Sequence, residues 1–242
     1  MSQPKSKNLL LKLLIAIAVT SIVPLSFFLI AKLLHKDKLL LPRKYGVESI
    51  IPKKVEGKQV VDTEYHQVSD LVLVNQLGQS ISLNKDLKGK ILVVDFFFSH
   101  CPIVCPKLTK NMKLLLRAFR KDPKREEQLD NQIQFISLTV DPERDSFQQL
   151  RKFADQYGVD HDHWYMLTGD KKKIYDFARY ELKLTVGEGD GGAEDFIHTE
   201  KITILDGDRF IRGYYAGLDS FEISKCAYDL SLLTMEKKKQ TK

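Results

Sequence analysis

The run Ile91-Leu92-Val93-Val94-Asp95-Phe96-Phe97-Phe98 constrains this chain more than any other stretch. It is apolar apart from Asp95 and rich in β-branched and aromatic side chains, so it has no polar face to turn toward water. A segment of this kind is expected to be a strand buried on both faces, as central strands of parallel sheets are. Such a sheet needs helices over both faces, and the following sequence supplies helical patterns alternating with short apolar runs.

After the run, Leu108, Met112, Leu115, Leu116 and Phe119 recur at helical spacing between Pro106 and about Lys121. Ile133 to Val140 reads as a second buried strand. Asp141-Pro142-Glu143-Arg144-Asp145 turns the chain, and Ser146 with Gln149 forms a candidate capping box. A helix with Phe147, Leu150, Phe153, Ala154 and Tyr157 on its apolar face follows. Trp164 to Leu167 is a short strand and Asp170 to Tyr180 another helix. Glu188 to Asp195 is Gly-rich and acidic. Phe196 to Leu205 and Arg209 to Tyr215 form a hairpin across Asp206-Gly207-Asp208, and Ser220 to Met235 closes the chain as a helix. Ahead of the central run, Asp70 to Val74 and Ser80 to Leu83 flank a turn at Asn75 to Gln79 and form a further hairpin. Residues 32–57, with Pro42 and Pro52, read as an irregular basic linker. The order is β-α-β-α-β-α-β-β-α after a hairpin, an α/β arrangement that fits a thioredoxin-like fold.

The chemistry lies in Phe98-Ser99-His100-Cys101-Pro102-Ile103-Val104-Cys105-Pro106, where the central strand ends and a helix begins. Ligand sites in open α/β sheets favour such strand ends. A helix N-terminus lowers a thiol pKa, and thiolate is the form that attacks and binds metal. Residues four apart share a helical face, so Cys101 and Cys105 are placed to present both sulfurs to one ion. His198, near a strand start, is the candidate third ligand. Oxidoreductases of thioredoxin type put a cis-Pro opposite their cysteines before a late strand. This chain has no Pro after Pro142, and His198-Thr199 stands at roughly that place. Two thiolates and an imidazole suit a soft or borderline metal, copper foremost. Two structural thiols that never meet a metal are the plain alternative.

Phe-Phe-Phe-Ser-His-Cys-Pro-Ile-Val-Cys-Pro resembles the signature of the Sco/SenC family, and Val140-Asp141-Pro142-Glu143-Arg144-Asp145 and a downstream His near a strand start resemble that family too. The resemblance covers roughly residues 60–235. It implies a membrane-anchored, thioredoxin-like copper protein with Cys101, Cys105 and His198 as Cu(I) or Cu(II) ligands. It also implies delivery of copper, or of reducing equivalents, to the binuclear copper centre of cytochrome c oxidase. The oxidase subunit bearing that centre is then the partner, with another copper chaperone as a further one. The family pattern has Asp immediately before the ligand His, where this chain has Ile197; the nearest acid is Asp195.

A metallochaperone and a thiol–disulfide oxidoreductase both remain open, the latter with Cys101 attacking and Cys105 resolving. A peroxidase of similar fold would need a Thr and an Arg beside the reactive Cys, and no convincing set is found. Asp95, six residues before Cys101, is either a buried carboxyl acting on a thiol or an ordinary edge or hydrogen-bonded residue. His100 and Asp141 are candidates for supporting the site, with a surface and a turn role as their alternatives. His161 and His163 read as loop residues, and Cys226 as a packed thiol on the last helix.

The net charge of +6 does not mark a nucleic-acid binder. Residues 1–44 hold eight Lys or Arg against one acid, and residues 45–235 hold 26 against 30. The domain is therefore slightly acidic, whereas phosphate tracking needs clustered bases on it. Leu13 to Ala31 carries no charge. As a helix it would span ~28 Å, close to the hydrocarbon thickness of a bilayer. A cleaved signal peptide would be shorter in its apolar part and end in a small-residue site, which is missing here. The expected division is a basic tail (1–12), a transmembrane anchor (13–31), a linker (32–59), the thioredoxin-like copper-binding domain (60–235) and a basic tail (236–242). Flanking charge does not favour an outward domain, because the residues after the anchor are as basic as those before it. The site chemistry leads us to expect the domain outside, facing the periplasm or cell exterior from a plasma membrane. With no Arg- and Ser-rich transit leader before the anchor, a bacterial membrane is expected in preference to a mitochondrial inner membrane.

Overall fold

The computed structural model describes residues 12, 16–17, 19–28, 41–55, 58–119, 130–184 and 199–240. Residues 1–40 and 41–242 form two separate compact units. In the first, residues 19–28 are helical and exposed, and Thr20 donates its hydroxyl to the Ala16 carbonyl. Among the described residues no helix is long and apolar enough to cross a membrane. The expected anchor at Leu13 to Ala31 lies partly outside them, at residues 13–15, 18 and 29–31.

The second unit is built on a seven-stranded sheet. Its strands are β3 (Val72–Asn75), β4 (Ser80–Ser82), β5 (Ile91–Phe97), β6 (Ile133–Thr139), β7 (Trp164–Thr168), β8 (Lys201–Leu205) and β9 (Ile211–Ala216), in the order β4-β3-β7-β6-β5-β8-β9. The expected central strand is β5, and every residue of it is buried. It pairs parallel with β6, Ile91 opposite Ile133 through Phe97 opposite Thr139, and antiparallel with β8. The early hairpin is β3–β4. It does not stand apart as an extension: β3 pairs antiparallel with β7 and forms one edge of the main sheet.

Alternation along β5 splits the core in two. Ile91, Val93 and Phe97 face α1 (Val104–Phe119), α2 (Phe147–Tyr157) and α4 (Ser220–Gln240), meeting Leu108, Met112, Leu150, Phe153 and Leu230. Leu92, Val94 and Phe96 face the other layer, with Leu71, Leu83, Ile174, Tyr175 and Leu182. Each helix has a local reason to start or stop. Ser146 Oγ accepts the Gln149 N–H at 3.3 Å to cap α2, and Gly158 ends it in a left-handed conformation at φ 58°. Asp170 caps α3 (Lys171–Asp176), which continues as a wider turn, Phe177–Glu181, within the span expected to be helical.

One element departs from expectation. The segment expected to be an irregular linker contains β1 (Val47–Val55), which pairs with β2 (Lys58–Tyr65) as a separate two-stranded ribbon. Ile50 and Val61, on this ribbon, are 65% and 61% exposed, so it lacks the half-buried alternation that reveals a strand in sequence.

The β8–β9 turn is held by Asp206, whose carboxylate accepts the N–H groups of Asp208 and Phe210. Arg209 takes a left-handed φ of 67° there, and its side chain is buried. Its guanidinium donates to the carbonyls of Leu83, Leu87, Lys90 and Asp206 and to Asn84 Oδ1, tying the β4–β5 connection to this turn.

Candidate metal and thiol site

The chain leaves β5 through a tight turn, in which the Cys101 N–H donates to the Phe98 carbonyl at 3.3 Å. Three residues later α1 begins. The first N–H groups of a helix have no partner within it, and here they turn toward sulfur. The Cys105 N–H donates to Cys101 Sγ at 3.3 Å. Burial pushes the Cys101 thiol up, but the N–H groups of Cys105, Ile103 and Val104 outweigh it, and the net shift is downward. Cys105 goes the other way: burial pushes it up to about 12, and the nearby charges of Cys101 and Asp95 add to the shift. One sulfur is therefore half-buried and shifted toward its thiolate, and the other is buried and shifted the opposite way. Both, with Cys226, are free thiols.

The pair opens into a cavity of about 620 Å³. Apolar Phe98, Ile103, Val104 and Val140 line it together with Thr199 and Glu200. His198, the expected third ligand, lies outside the described residues, as do Asp195 and Ile197. Among the described residues, no three His, Cys, Asp or Glu side chains converge on a point that could hold an ion. Of the expected donors, the two sulfurs lie among the described residues, and soft sulfur suits copper. No peptide bond among the described residues is cis.

Asp95 is 1% exposed, on the β5 face that carries Val93 and Phe97. The Ser137 hydroxyl donates to its Oδ1 at 2.5 Å, and Trp164 Nε1–H donates in turn to Ser137 Oγ at 2.8 Å. Burial outweighs the hydrogen bond and pushes the carboxyl up to about 7. The edge-exposed alternative for Asp95 is therefore wrong. His100 points outward, its side chain 53% exposed, with Nδ1 3.0 Å from Ser99 Oγ. Asp141 turns the chain: its carbonyl accepts the N–H groups of Arg144 and Asp145, its own N–H donates to Thr139 Oγ1 at 3.0 Å, and its carboxylate lies 3.6 Å from Arg144 Nε.

Sequence reasoning passed over Asp145. It is wholly buried, and both its oxygens face the turn before Cys101. Oδ1 accepts the Ser99 hydroxyl at 2.5 Å; Oδ2 accepts the Ser99 N–H at 3.0 Å and the Thr139 hydroxyl at 2.5 Å. Its only local signal is a place at the end of an acidic turn. The peripheral candidates behave as part-buried loop or core residues. His161 bonds Asp155 and Gln76, His163 pairs with Asp160, and Cys226, on the inner face of α4, is buried in the core.

Residues 61–230 match the family described as SCO1/SenC, which is more than half of the chain. The SCO1 protein homolog of Bacillus subtilis is 32% identical over 165 residues, covering 68% of this chain and 81% of its own length. The chain belongs to the SCO1/SenC family. It spans 63% of the length of a mitochondrial SCO2 homolog from Bos taurus, at 26% identity. Its fold is similar to that of BsSco, a member of the Sco family of cytochrome c oxidase assembly proteins in which a disulfide switch was identified. The TM-score is 0.57 and the identity 30%, over 70% of this chain and 94% of the other. The fold is also similar to that of Bradyrhizobium japonicum ScoI, solved with copper bound. Here the TM-score is 0.52 and the identity 24%, over 69% of this chain and 99% of that one.

Proposed function

We propose that this SCO1/SenC protein binds one copper ion through Cys101, Cys105 and His198 and passes it to the binuclear copper centre of cytochrome c oxidase. The observation that carries this reading is the thiol pair itself. Cys101 Sγ sits on the unpaired N–H groups at the start of α1, at the mouth of a cavity. A sulfur stabilised as thiolate by backbone dipoles is ready to bind a soft cation. Thr199, the residue after His198, lines the same cavity. Copper is cargo here. Cys101 is half-buried, so an incoming thiolate or imidazole can reach it, and exchange proceeds ligand by ligand while Cys105 stays beneath. The copper bound to the Bradyrhizobium relative supports the same chemistry.

The test is transfer. Copper-loaded full-length protein is incubated with the copper-free subunit of the oxidase, and the two are separated. Copper should move to the subunit, and the Cys101→Ala, Cys105→Ala double variant should carry and transfer none. Equal transfer by that variant would end the proposal.

A second reading has its own support. A half-buried Cys101 whose thiol is shifted down, over a buried Cys105 whose thiol is shifted up, is the asymmetry of an attacking and a resolving thiol. On this reading the protein reduces the copper-ligating cysteines of the oxidase subunit. The two separate at His198, since His198→Ala should abolish copper transfer but leave disulfide reduction intact.

Residues 13–31 serve as a single membrane anchor, and the copper-binding domain that follows faces outward from a bacterial plasma membrane. The uncharged stretch from Leu13 to Ala31 supports the anchor, and the site chemistry supports the side. An impermeant thiol reagent applied to intact cells should label Cys101. Labelling only after lysis would place the domain inside.

A further inference from the structure

The turn from which Cys101 hangs is bolted to the sheet by one carboxylate. Asp145 is wholly buried, and its two oxygens take three donors, two of them from Ser99. The third is Thr139, at the end of β6 and directly opposite Phe97, the last residue of β5. Gln149 Nε2 adds a weaker bond to Ser99 Oγ at 3.4 Å. Ser99 is thus fixed through both main chain and side chain, and the turn continues from it to Cys101. Cys101 Sγ reaches the Cys105 N–H from that fixed point. The Cys105 thiol also donates to Cys101 Sγ, so forming a disulfide replaces that hydrogen bond by a shorter covalent bond and shifts Sγ from its seat on the helix N–H groups.

We propose that Asp145 is a positioning residue for the cysteine pair: by gripping Ser99 through its N–H and hydroxyl, it fixes the turn that holds Cys101 Sγ at the start of α1, and so favours the dithiol over the disulfide. The inference rests on Cys101 and Cys105 being the working pair, but it needs no metal, so loss of copper binding and loss of this effect are separately visible.

The experiment equilibrates the full chain, in detergent and free of metal, with reduced and oxidised glutathione. The pair gives up two electrons and two protons to form one S–S bond, and one glutathione disulfide becomes two glutathiones. Alkylation and mass spectrometry read the fraction oxidised. Asp145→Asn should shift the equilibrium at least threefold toward the disulfide, because an amide keeps the shape but one oxygen becomes a donor facing donors. Ser99→Ala removes the gripped hydroxyl without touching the core, and should shift it the same way. The two changes should be less than additive in the double variant, as expected of one shared contact. A merely structural Asp145 would lower the thermal midpoint and leave the equilibrium where it was. A shift below threefold in both single variants, or a shift toward the dithiol, overturns the proposal.

Discussion

Cys101 Sγ accepts the backbone N–H of Cys105 at 3.3 Å, so the sulfur nearer solvent is stabilised by the residue that carries the deeper one. The two thiols are unequal before any metal or partner arrives. Cys101 is drawn down by the helix start, while Cys105 is pushed up to about 12 by burial.

The first prediction follows from that inequality. Thiolate is the alkylated form. Iodoacetamide at neutral pH should modify Cys101 at least tenfold faster than Cys105 or Cys226, whose thiols are buried and raised. Site-resolved mass spectrometry over a time course checks this. Equal rates at Cys101 and Cys105 would contradict it.

The second concerns Asp95. Its carboxyl is raised from 3.8 to about 7, so between those values the folded state binds a proton that the unfolded state has released. Stability from this group is full below about pH 4, falls as pH rises, and levels off above about 7. Each tenfold change in proton affinity is worth roughly 1.4 kcal/mol, so the whole effect is of order 4 kcal/mol. Asp95→Asn cannot ionise, so wild-type stability relative to the variant should fall across that window. Urea denaturation at pH 4 to 8 measures it, and parallel curves for the two proteins would contradict the expectation.

A third concerns Arg209, whose guanidinium serves four carbonyls and one side-chain amide oxygen. Arg209→Met removes the donors and leaves buried acceptors without partners. Each such loss costs about 1–3 kcal/mol, softened where water enters. A destabilisation of about 3 kcal/mol or more is expected in urea, with the strands of the main sheet retained by circular dichroism.

Sequence was informative where information is local. The β5 run is buried on both faces and therefore shows as an unbroken apolar stretch, and the cysteine spacing sits on the strand-to-helix junction it marks. The β1–β2 ribbon escaped because it packs little: Pro52, Lys53 and exposed Ile50 look like linker, and only pairing makes them a strand. Asp145 escaped for another reason. Its partner Ser99 lies 46 residues away, and nothing in an acidic turn says which carboxylate will face inward. Asp141 looked equally eligible and points to Arg144 instead. Asp95 was recognisable as unusual, but only the sheet shows that Ser137 and Trp164 enclose it.

The central claim is that Cys101, Cys105 and His198 hold one copper ion. Copper titration of the full chain in detergent, under reducing conditions and against a competing chelator, tests it most directly. One ion per chain is predicted, with Cys101→Ala, Cys105→Ala and His198→Ala each weakening binding at least tenfold. One copper held as tightly by any of these three variants as by the wild type would contradict it.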